Sequence, residues 1–176
     1  PPRRGVIMKE KFILAHMEVA KTYSMLSAAS RAKVGCIIVK NDRIISIGYN
    51  GTPSGWENTC EVDDKTLPEV LHAEANAITK LAQSTESGKD SFLFTTHAPC
   101  LDCAKLIYQT GIQAVYYLFE YKYPDGVRFL KRCNILVQPI HVKAWKESEW
   151  YMTGKRYYQH YEHMQQNVIM SKKTEK

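Results

Sequence analysis

The sequence lacks the features of a membrane or secreted protein. No apolar run is long enough to cross a bilayer, which excludes a membrane-spanning helix. The first residues carry two arginines but no apolar stretch before Lys9-Glu10-Lys11, so the sequence predicts no secretory signal. We interpret residues 1–7 as a non-native leader, with the natural start at Met8, and we expect a cytoplasmic protein.

The sequence contains few cysteines, and its basic residues do not form a cluster. The five cysteines are Cys36, Cys60, Cys100, Cys103 and Cys133. An odd set without a secretory signal predicts cytosolic thiols, with the close Cys100–Cys103 pair a candidate for metal binding or redox chemistry. The 24 basic and 18 acidic residues give a net charge of +6, but the basic residues are scattered. That charge fits an anionic ligand or plain solubility equally well.

No internal repeat or low-complexity tract divides the 176 residues, so we expect one domain. Hydrophobic periodicity predicts helices at 8–30, 68–83, 100–111 and 124–133, and strands at 34–40, 43–50, 91–96, 112–120 and 134–140. The first helix shows its apolar spacing at Phe12, Ala15, Val19, Tyr23 and Leu26. The segment 50–68 is too polar and broken for a regular element.

This alternation predicts one α/β layered domain over 8–140, in which helices cover a sheet. The segment 141–176 is polar and aromatic, and we expect a partly helical appendage there.

Two short motifs carry the candidate chemistry. His72-Ala73-Glu74 and Pro99-Cys100-Leu101-Asp102-Cys103 each stand at or near the start of a predicted helix. Zinc prefers thiolate and imidazole ligands in a tetrahedron, and a catalytic site keeps one position for water. Cys100 and Cys103 project to the same side of a helix, and the helix dipole favours their thiolates. With His72 they predict a three-ligand zinc site.

Glu74 has a chemical reason to lie beside such a site. Zinc lowers the pKa of bound water to about 7, and a neighbouring carboxylate can take its proton and pass it to a substrate nitrogen. The order H-x-E and then P-C-x-x-C is the signature of zinc nucleobase deaminases. Taken alone, a CxxC pair also fits a redox protein or a structural zinc site. Cys36 and Cys133 are expected in the core instead.

Four segments resemble the zinc-dependent cytidine/deoxycytidylate deaminase superfamily, and within it the deoxycytidylate (dCMP) deaminases, phage-type examples especially. They are HAEANAI at 72–78, PCLDCAKLI at 99–107, VGCIIVKNDRIISIGYNGTPSG at 34–55 and TGIQAVYY at 110–117. The resemblance covers roughly Phe12 to Pro139. It implies a three-layer α/β/α cytidine-deaminase-like fold with a central mixed five-stranded sheet.

The resemblance implies hydrolytic deamination of dCMP to dUMP by a zinc-bound hydroxide that attacks C4. The zinc ligands would be His72, Cys100 and Cys103, with Glu74 as the proton shuttle. Substrate contacts are expected at Asn50, Ala73, Arg31 and Tyr123.

The resemblance also implies effector control. Activation by dCTP with Mg²⁺ and inhibition by dTTP are expected, through Lys33, Gly48, Tyr49, Asn50 and Gly51. A homo-oligomer, with a hexamer favoured, is expected in the cytoplasm, or in the host cytoplasm for a phage-encoded chain. No membrane or nucleic-acid partner is expected. Ala29 replaces a cysteine of the family pattern S-x-C-x-R-x-K-V-G, which argues against a second, structural zinc.

Other readings stay open. A polynucleotide deaminase of the same fold, such as a tRNA adenosine deaminase, would suit the positive charge and the aromatic RYYQHY segment. A free cytidine deaminase is less favoured, because Arg31 and Lys33 favour a phosphate. A zinc-stabilised, non-catalytic binding module would not need Glu74, and a redox protein would need no metal.

Overall fold

The computed structural model describes residues 8–141. The predictions of a leader at 1–7 and of an appendage over 141–176 fall outside these residues, apart from His141 itself. Within them, no helix is both long and apolar enough to cross a membrane.

The elements alternate as the hydrophobic pattern predicts. The helices are α1 (Glu10–Ser24), α2 (Ala73–Ala82), α3 (Leu101–Gln109) and α4 (Asp125–Arg132). The strands are β1 (Gly35–Lys40), β2 (Arg43–Tyr49), β3 (Glu61–Val62), β4 (Lys65–Thr66), β5 (Phe92–His97), β6 (Ala114–Phe119) and β7 (Leu136–Pro139).

Five strands form one mixed sheet in the order β2-β1-β5-β6-β7. The pairs β1–β2 and β1–β5 are antiparallel, whereas β5–β6 and β6–β7 are parallel. Helix α1 packs on one face, where the ring of His16 lies 5.2 Å from that of Phe94. Helices α2, α3 and α4 cover the other face, where Ile38 and Leu93 join a cluster with Ala77, Ile107 and Leu130. The predicted three-layer fold with a mixed five-stranded sheet is confirmed.

The strands predicted at 34–40 and 43–50 are joined by a tight hairpin. Lys40 pairs with Arg43, and the two residues between them, Asn41 and Asp42, have φ angles of 51° and 58°. Positive φ at both loop residues defines the type I′ turn that matches strand twist, and Asn and Asp tolerate it well.

Helix α1 forms as predicted but ends at Ser24, earlier than predicted, and its apolar spacing coincides only in part with its buried side. Phe12 and Leu26 are 40% and 59% exposed, while Ile13, Leu14, Met17 and Ala20 are buried. A Cβ on Gly35 would lie 2.0 Å from the carbonyl oxygen of Ala20. The absence of that Cβ lets α1 approach β1 closely, which selects the buried face of the helix.

The segment 50–68 also differs from its prediction as an irregular loop. It contains the short antiparallel hairpin β3–β4, in which Glu61 pairs with Thr66. Asp63 and Asp64 form its turn with φ angles of 49° and 58°. Two-residue strands are too short to show alternation in the sequence, so this hairpin carried no periodic signal.

Helix α2 begins five residues later than Pro68 predicts. Leu71 exchanges two backbone hydrogen bonds with Gly51, at 2.9 and 3.1 Å, and this bridge holds the chain extended before the helix. His72 is therefore the N-cap of α2 rather than an interior residue. Tertiary pairing overrides the local helix signal here.

Candidate active site

The candidate site lies where the parallel strands β5 and β6 end. The segment 98–100 connects β5 to α3, and the segment 120–124 connects β6 to α4. The amino-terminal end of α2 reaches the same region, since His72 contacts Cys100. Clefts outside the carboxyl ends of parallel strands are the usual ligand sites of α/β sheets.

His72, Cys100 and Cys103 come together as predicted. The Nδ1 atom of His72 lies 3.4 Å from the Sγ of Cys100 and 3.5 Å from the Sγ of Cys103. All three ligand atoms lie within 4.8 Å of one another, and among residues 8–141 this is the one such cluster of potential metal ligands. Tetrahedral zinc, with bonds of about 2.3 Å to sulfur and about 2.0 Å to nitrogen, separates such atoms by roughly 3.6 Å. The three residues fit a zinc ion.

Two of the ligands are helix N-caps. The carbonyl of His72 accepts the Asn76 N–H in the first turn of α2, and that of Cys100 accepts the Ala104 N–H in α3. Both residues have extended backbone conformations with ψ of 154° and 172°. Helix α3 begins directly after its N-cap Cys100, so Cys103 lies in the first turn of that helix. The positive ends of two helix dipoles therefore favour thiolates at the site.

Helix α4 supports the cysteine-bearing segment from behind. A Cβ on Gly126 would lie 2.1 Å from the carbonyl oxygen of Pro99 and 2.6 Å from that of Cys100. No side chain fits there, so the glycine allows the first turn of α4 to pack directly on the backbone that carries Cys100.

The hydrogen bond between the two thiols shifts their pKa values in opposite directions. A hydrogen bond from the Cys103 thiol lowers the pKa of Cys100 to about 4. The same hydrogen bond, together with burial, raises the pKa of Cys103. The hydrogen bond with Cys100 is also the main reason that the pKa of His72 is raised. Zinc would take the place of these protons, since its ligands bind deprotonated.

Glu74 is buried beside the three ligands. It belongs to the first turn of α2 and is only 4% exposed. Burial raises the pKa of its carboxyl group, and a hydrogen bond from its own backbone N–H and the positive charge of His72 partly offset that effect. No cation forms a salt bridge with it among the described residues. A raised carboxyl pKa suits a group that must both accept and return a proton near neutral pH.

A cavity of about 280 Å³ opens over this cluster. His72, Glu74 and Cys100 line it, and so do the predicted substrate residues Arg31 and Asn50. Ala73 is fully buried between His72 and Glu74.

The side chain of Asn50, at the end of β2, forms hydrogen bonds with the backbone of the segment before β1. Its Oδ1 accepts the Val34 N–H at 2.8 Å, and its Nδ2 donates to the Ala32 carbonyl at 2.8 Å. Each half of the amide keeps one further donor or acceptor position for a ligand.

A different tyrosine from the predicted one lines the cavity. Tyr123 is 54% exposed, and its ring stands edge-on to that of Tyr121, with 6.2 Å between the ring centroids. Tyr121, two residues earlier, lines the cavity itself.

The predicted effector residues have mixed surroundings. Lys33 is exposed, and Tyr49 is partly buried with the Lys80 ammonium 5.2 Å from its ring centroid. Gly51 is buried and pairs with Leu71. A Cβ on Gly48 would lie 2.2 Å from the Ala73 carbonyl oxygen, so this glycine serves the packing of α2 on β2.

Sequence reasoning did not identify the other polar residues of the cavity lining: Glu61, Thr66, His97 and Tyr121. Glu61 and Thr66 come from the unexpected hairpin. Glu61 accepts the backbone N–H of Ser30 at 3.1 Å, and Arg31 Nη1 lies 3.5 Å from Thr66 Oγ1. His97 had one available signal, because it directly precedes the Ala98-Pro99-Cys100 motif.

A mixed α/β sheet with a His-Cys-Cys cluster and a buried glutamate at its carboxyl edge defines a zinc-dependent deaminase type of site. The chain belongs to the family described as "Cytidine and deoxycytidylate deaminase zinc-binding region", whose model matches residues 9–119.

Individual relatives agree with this assignment. The chain is 47% identical to the dCMP deaminase of cyanophage S-TIM5, whose crystal structure is in complex with dCMP and dUMP; the match covers 76% of this chain and 99% of that one, with a TM-score of 0.74. It is 36% identical to the deoxycytidylate deaminase of Homo sapiens over 62% of this chain and 65% of the relative. It is 31% identical to the ComE operon protein 2 of Bacillus subtilis (strain 168) over 66% of this chain and 65% of the relative.

Proposed function

We propose that this protein is a zinc-dependent dCMP deaminase that converts dCMP and water to dUMP and ammonia. The observation that carries the proposal is the buried Glu74 beside the His72–Cys100–Cys103 triangle, inside a cavity that Arg31 also lines. A structural zinc site needs no buried carboxylate beside it. The cyanophage relative, which binds dCMP and dUMP, supports the choice of substrate.

A zinc ion held by His72, Cys100 and Cys103 would lower the pKa of a water molecule at the site. Glu74 accepts a proton from the water that attacks C4 of the cytosine ring. It then returns that proton to N3 of the base. The proton of the new C4 hydroxyl passes to the amino nitrogen, so the C4–N bond breaks, ammonia leaves and C4 keeps a carbonyl oxygen. Burial of Glu74 keeps bulk water from competing for the proton and raises its carboxyl pKa toward the working range.

Arg31 is the cationic group that we assign to the 5′-phosphate. Its backbone segment is held in place by Glu61, whose carboxylate accepts the N–H groups of Ser30 and Arg31 at 3.1 and 3.5 Å. Charged hydrogen bonds to phosphate favour arginine because its planar fork matches the oxygens. This requirement for phosphate separates dCMP from free cytidine and deoxycytidine.

A polynucleotide substrate has less support. The aromatic segment RYYQHY on which that reading depends lies outside the described residues. The non-catalytic module is disfavoured by Glu74, and the redox reading by the histidine that contacts both sulfurs.

Effector control and assembly complete the proposal. We propose activation by dCTP with Mg²⁺ and inhibition by dTTP, with Lys33 and Tyr49 as the accessible contacts, and a homo-oligomer with a hexamer favoured. The support is the resemblance of the 48–51 segment to the stretch that lines the effector site in the family.

Ultraviolet absorbance distinguishes these possibilities directly. The zinc-loaded protein is assayed with dCMP, deoxycytidine, cytidine and a single-stranded RNA containing adenosine, and dCTP-Mg or dTTP is added in turn. Turnover of dCMP and not of the nucleosides is the expected result. Turnover of RNA alone, or of no substrate with zinc bound, would refute the proposed function. Turnover of dCMP that neither effector changes would refute effector control alone.

A further inference from the structure

His97 lines the cavity, yet the proposed chemistry gives it no task. It is the last residue of β5 and pairs in register with Phe119 of β6. Its ring is tilted 47° against the ring of Phe119, with 5.2 Å between centroids, and the side chain is half-buried. The imidazole is therefore held at a fixed place in the wall of the cavity.

The surroundings of the Thr96 hydroxyl favour one tautomer of His97. The Gly35 N–H donates to Thr96 Oγ1 at 3.2 Å, and His97 Nδ1 lies 3.2 Å from the same oxygen. Thr96 is only 2% exposed, so its own hydroxyl proton needs an acceptor inside the protein. Nδ1 of His97 is an acceptor within reach. With Nδ1 as the acceptor of the Thr96 hydroxyl, Nε2 is the nitrogen that carries the hydrogen.

Burial lowers the pKa of His97, which favours the neutral imidazole. A neutral N–H donor at a cavity wall suits an uncharged oxygen acceptor. The phosphate already has the charged Arg31 as its partner. In dCMP the strongest uncharged oxygen acceptors are the carbonyl O2 of the base and the 3′-hydroxyl of the sugar.

We propose that His97 binds the substrate by donating its Nε2–H to one of these uncharged oxygens, and that Thr96 is a positioning residue that holds His97 in the Nε2–H tautomer. This inference rests on the proposed function and adds a specificity-determining residue to it. Without the donor, a buried oxygen of the bound nucleotide loses its hydrogen bond.

Two substitutions at His97 test the donor. His97→Phe keeps a ring against Phe119 but removes the donor, whereas His97→Gln can place an amide N–H near the Nε2 position. His97→Phe is expected to lower kcat/KM for dCMP about tenfold, mostly through KM, and His97→Gln to restore most of it. The control His141→Phe changes an exposed histidine outside the cavity lining. A His97→Phe variant within twofold of the wild type, or a loss that His97→Gln does not rescue, overturns the proposal.

The same variants assayed with 2′,3′-dideoxycytidine 5′-monophosphate identify the acceptor. If the loss caused by His97→Phe disappears on this substrate, the 3′-hydroxyl is the acceptor. If the loss persists, O2 of the base is the acceptor. Either outcome supports a contact between His97 and the nucleotide.

Nitrogen-15 NMR of the histidine rings provides a test that does not depend on turnover. His97 is expected to show a protonated Nε2 and an unprotonated Nδ1, and Thr96→Val is expected to mix the two tautomers. A protonated Nδ1 in the wild type overturns the role of Thr96. A wild-type protein that shows the expected tautomer but never turns over dCMP would instead refute the proposed function.

Discussion

His72 Nδ1 lies 3.4 Å from Cys100 Sγ, although 28 residues separate the two in the chain. Each residue is the N-cap of a helix, and those helices pack side by side on one face of the sheet. The fold thus places an imidazole against two thiols at the positive ends of two helices. This arrangement supplies three of the four ligands of a tetrahedral zinc site.

Removal of one sulfur should abolish stable zinc binding. We expect Cys103→Ser to reduce zinc from about one ion per chain to a small fraction, because two ligands do not hold the ion. Metal content after dialysis, measured by atomic emission, checks this. Cys133→Ser is the matched control, since Cys133 lies outside the cluster. Full zinc retention in Cys103→Ser would show that other residues bind the metal.

A methyl group at Gly126 should disturb the metal site from behind. The Cβ of Gly126→Ala would collide with the Pro99 and Cys100 carbonyl oxygens, so the first turn of α4 or the cysteine segment must move. We expect a loss of about 1–3 kcal/mol in unfolding free energy, together with faster zinc release to a chelator. Gly51→Ala is the control, because open space surrounds the corresponding Cβ position. Equal zinc release from both variants would contradict the supporting role of Gly126.

Arg31 should determine the preference for a phosphorylated substrate. Arg31→Ala is expected to lower kcat/KM for dCMP roughly tenfold to a hundredfold, the range for a lost hydrogen bond to a charged group. Any slow turnover of deoxycytidine should change little, because that substrate has no phosphate. Arg43→Ala serves as a control, since Arg43 pairs with Glu86 outside the cavity lining. An equal loss on both substrates would mean that Arg31 acts on the fold instead.

His16 should make stability depend on pH. Burial against Phe94 lowers the pKa of His16 below its usual value, and the charge of Asp42 only partly offsets this. The unfolded chain therefore binds more protons than the folded one near pH 6. Stability should fall as the pH drops through about 6.5 and be fully present above it.

Thermal unfolding from pH 5.5 to 8 checks this prediction. His16→Phe retains an aromatic ring there and removes the titrating group. We expect the decline in midpoint temperature at low pH to be smaller in this variant than in the wild type. Parallel curves for the two proteins would rule out His16 as a source of the pH dependence.

Much of the fold follows from local pattern. The strands β1, β5 and β6 are short apolar runs between turn signals, and Asn41-Asp42 has the chemistry of a two-residue hairpin turn. These features depend on neighbours in the chain, so the sequence predicts them. The zinc ligands and Glu74 are likewise predicted, because each motif combines a helix start with residues of defined chemistry.

The differences arise where distant parts of the chain meet. Helix α2 starts late because Leu71 pairs with Gly51, and α1 packs closely on β1 because Gly35 has no Cβ. Tyr121 and His97 reach the cavity through the ends of adjacent strands. None of these relationships has a periodic signal in the sequence, since each depends on tertiary contact.

The most direct test of the account is the zinc-loaded Glu74→Gln variant assayed with dCMP. Glutamine keeps the shape of the side chain but cannot shuttle a proton, so we expect dUMP formation to fall by at least about a hundredfold with zinc content unchanged. Glu69→Gln, a change to an exposed carboxylate just before α2, should behave as the wild type. Wild-type turnover by Glu74→Gln at full zinc occupancy would contradict the assigned role of Glu74 and the mechanism built on it.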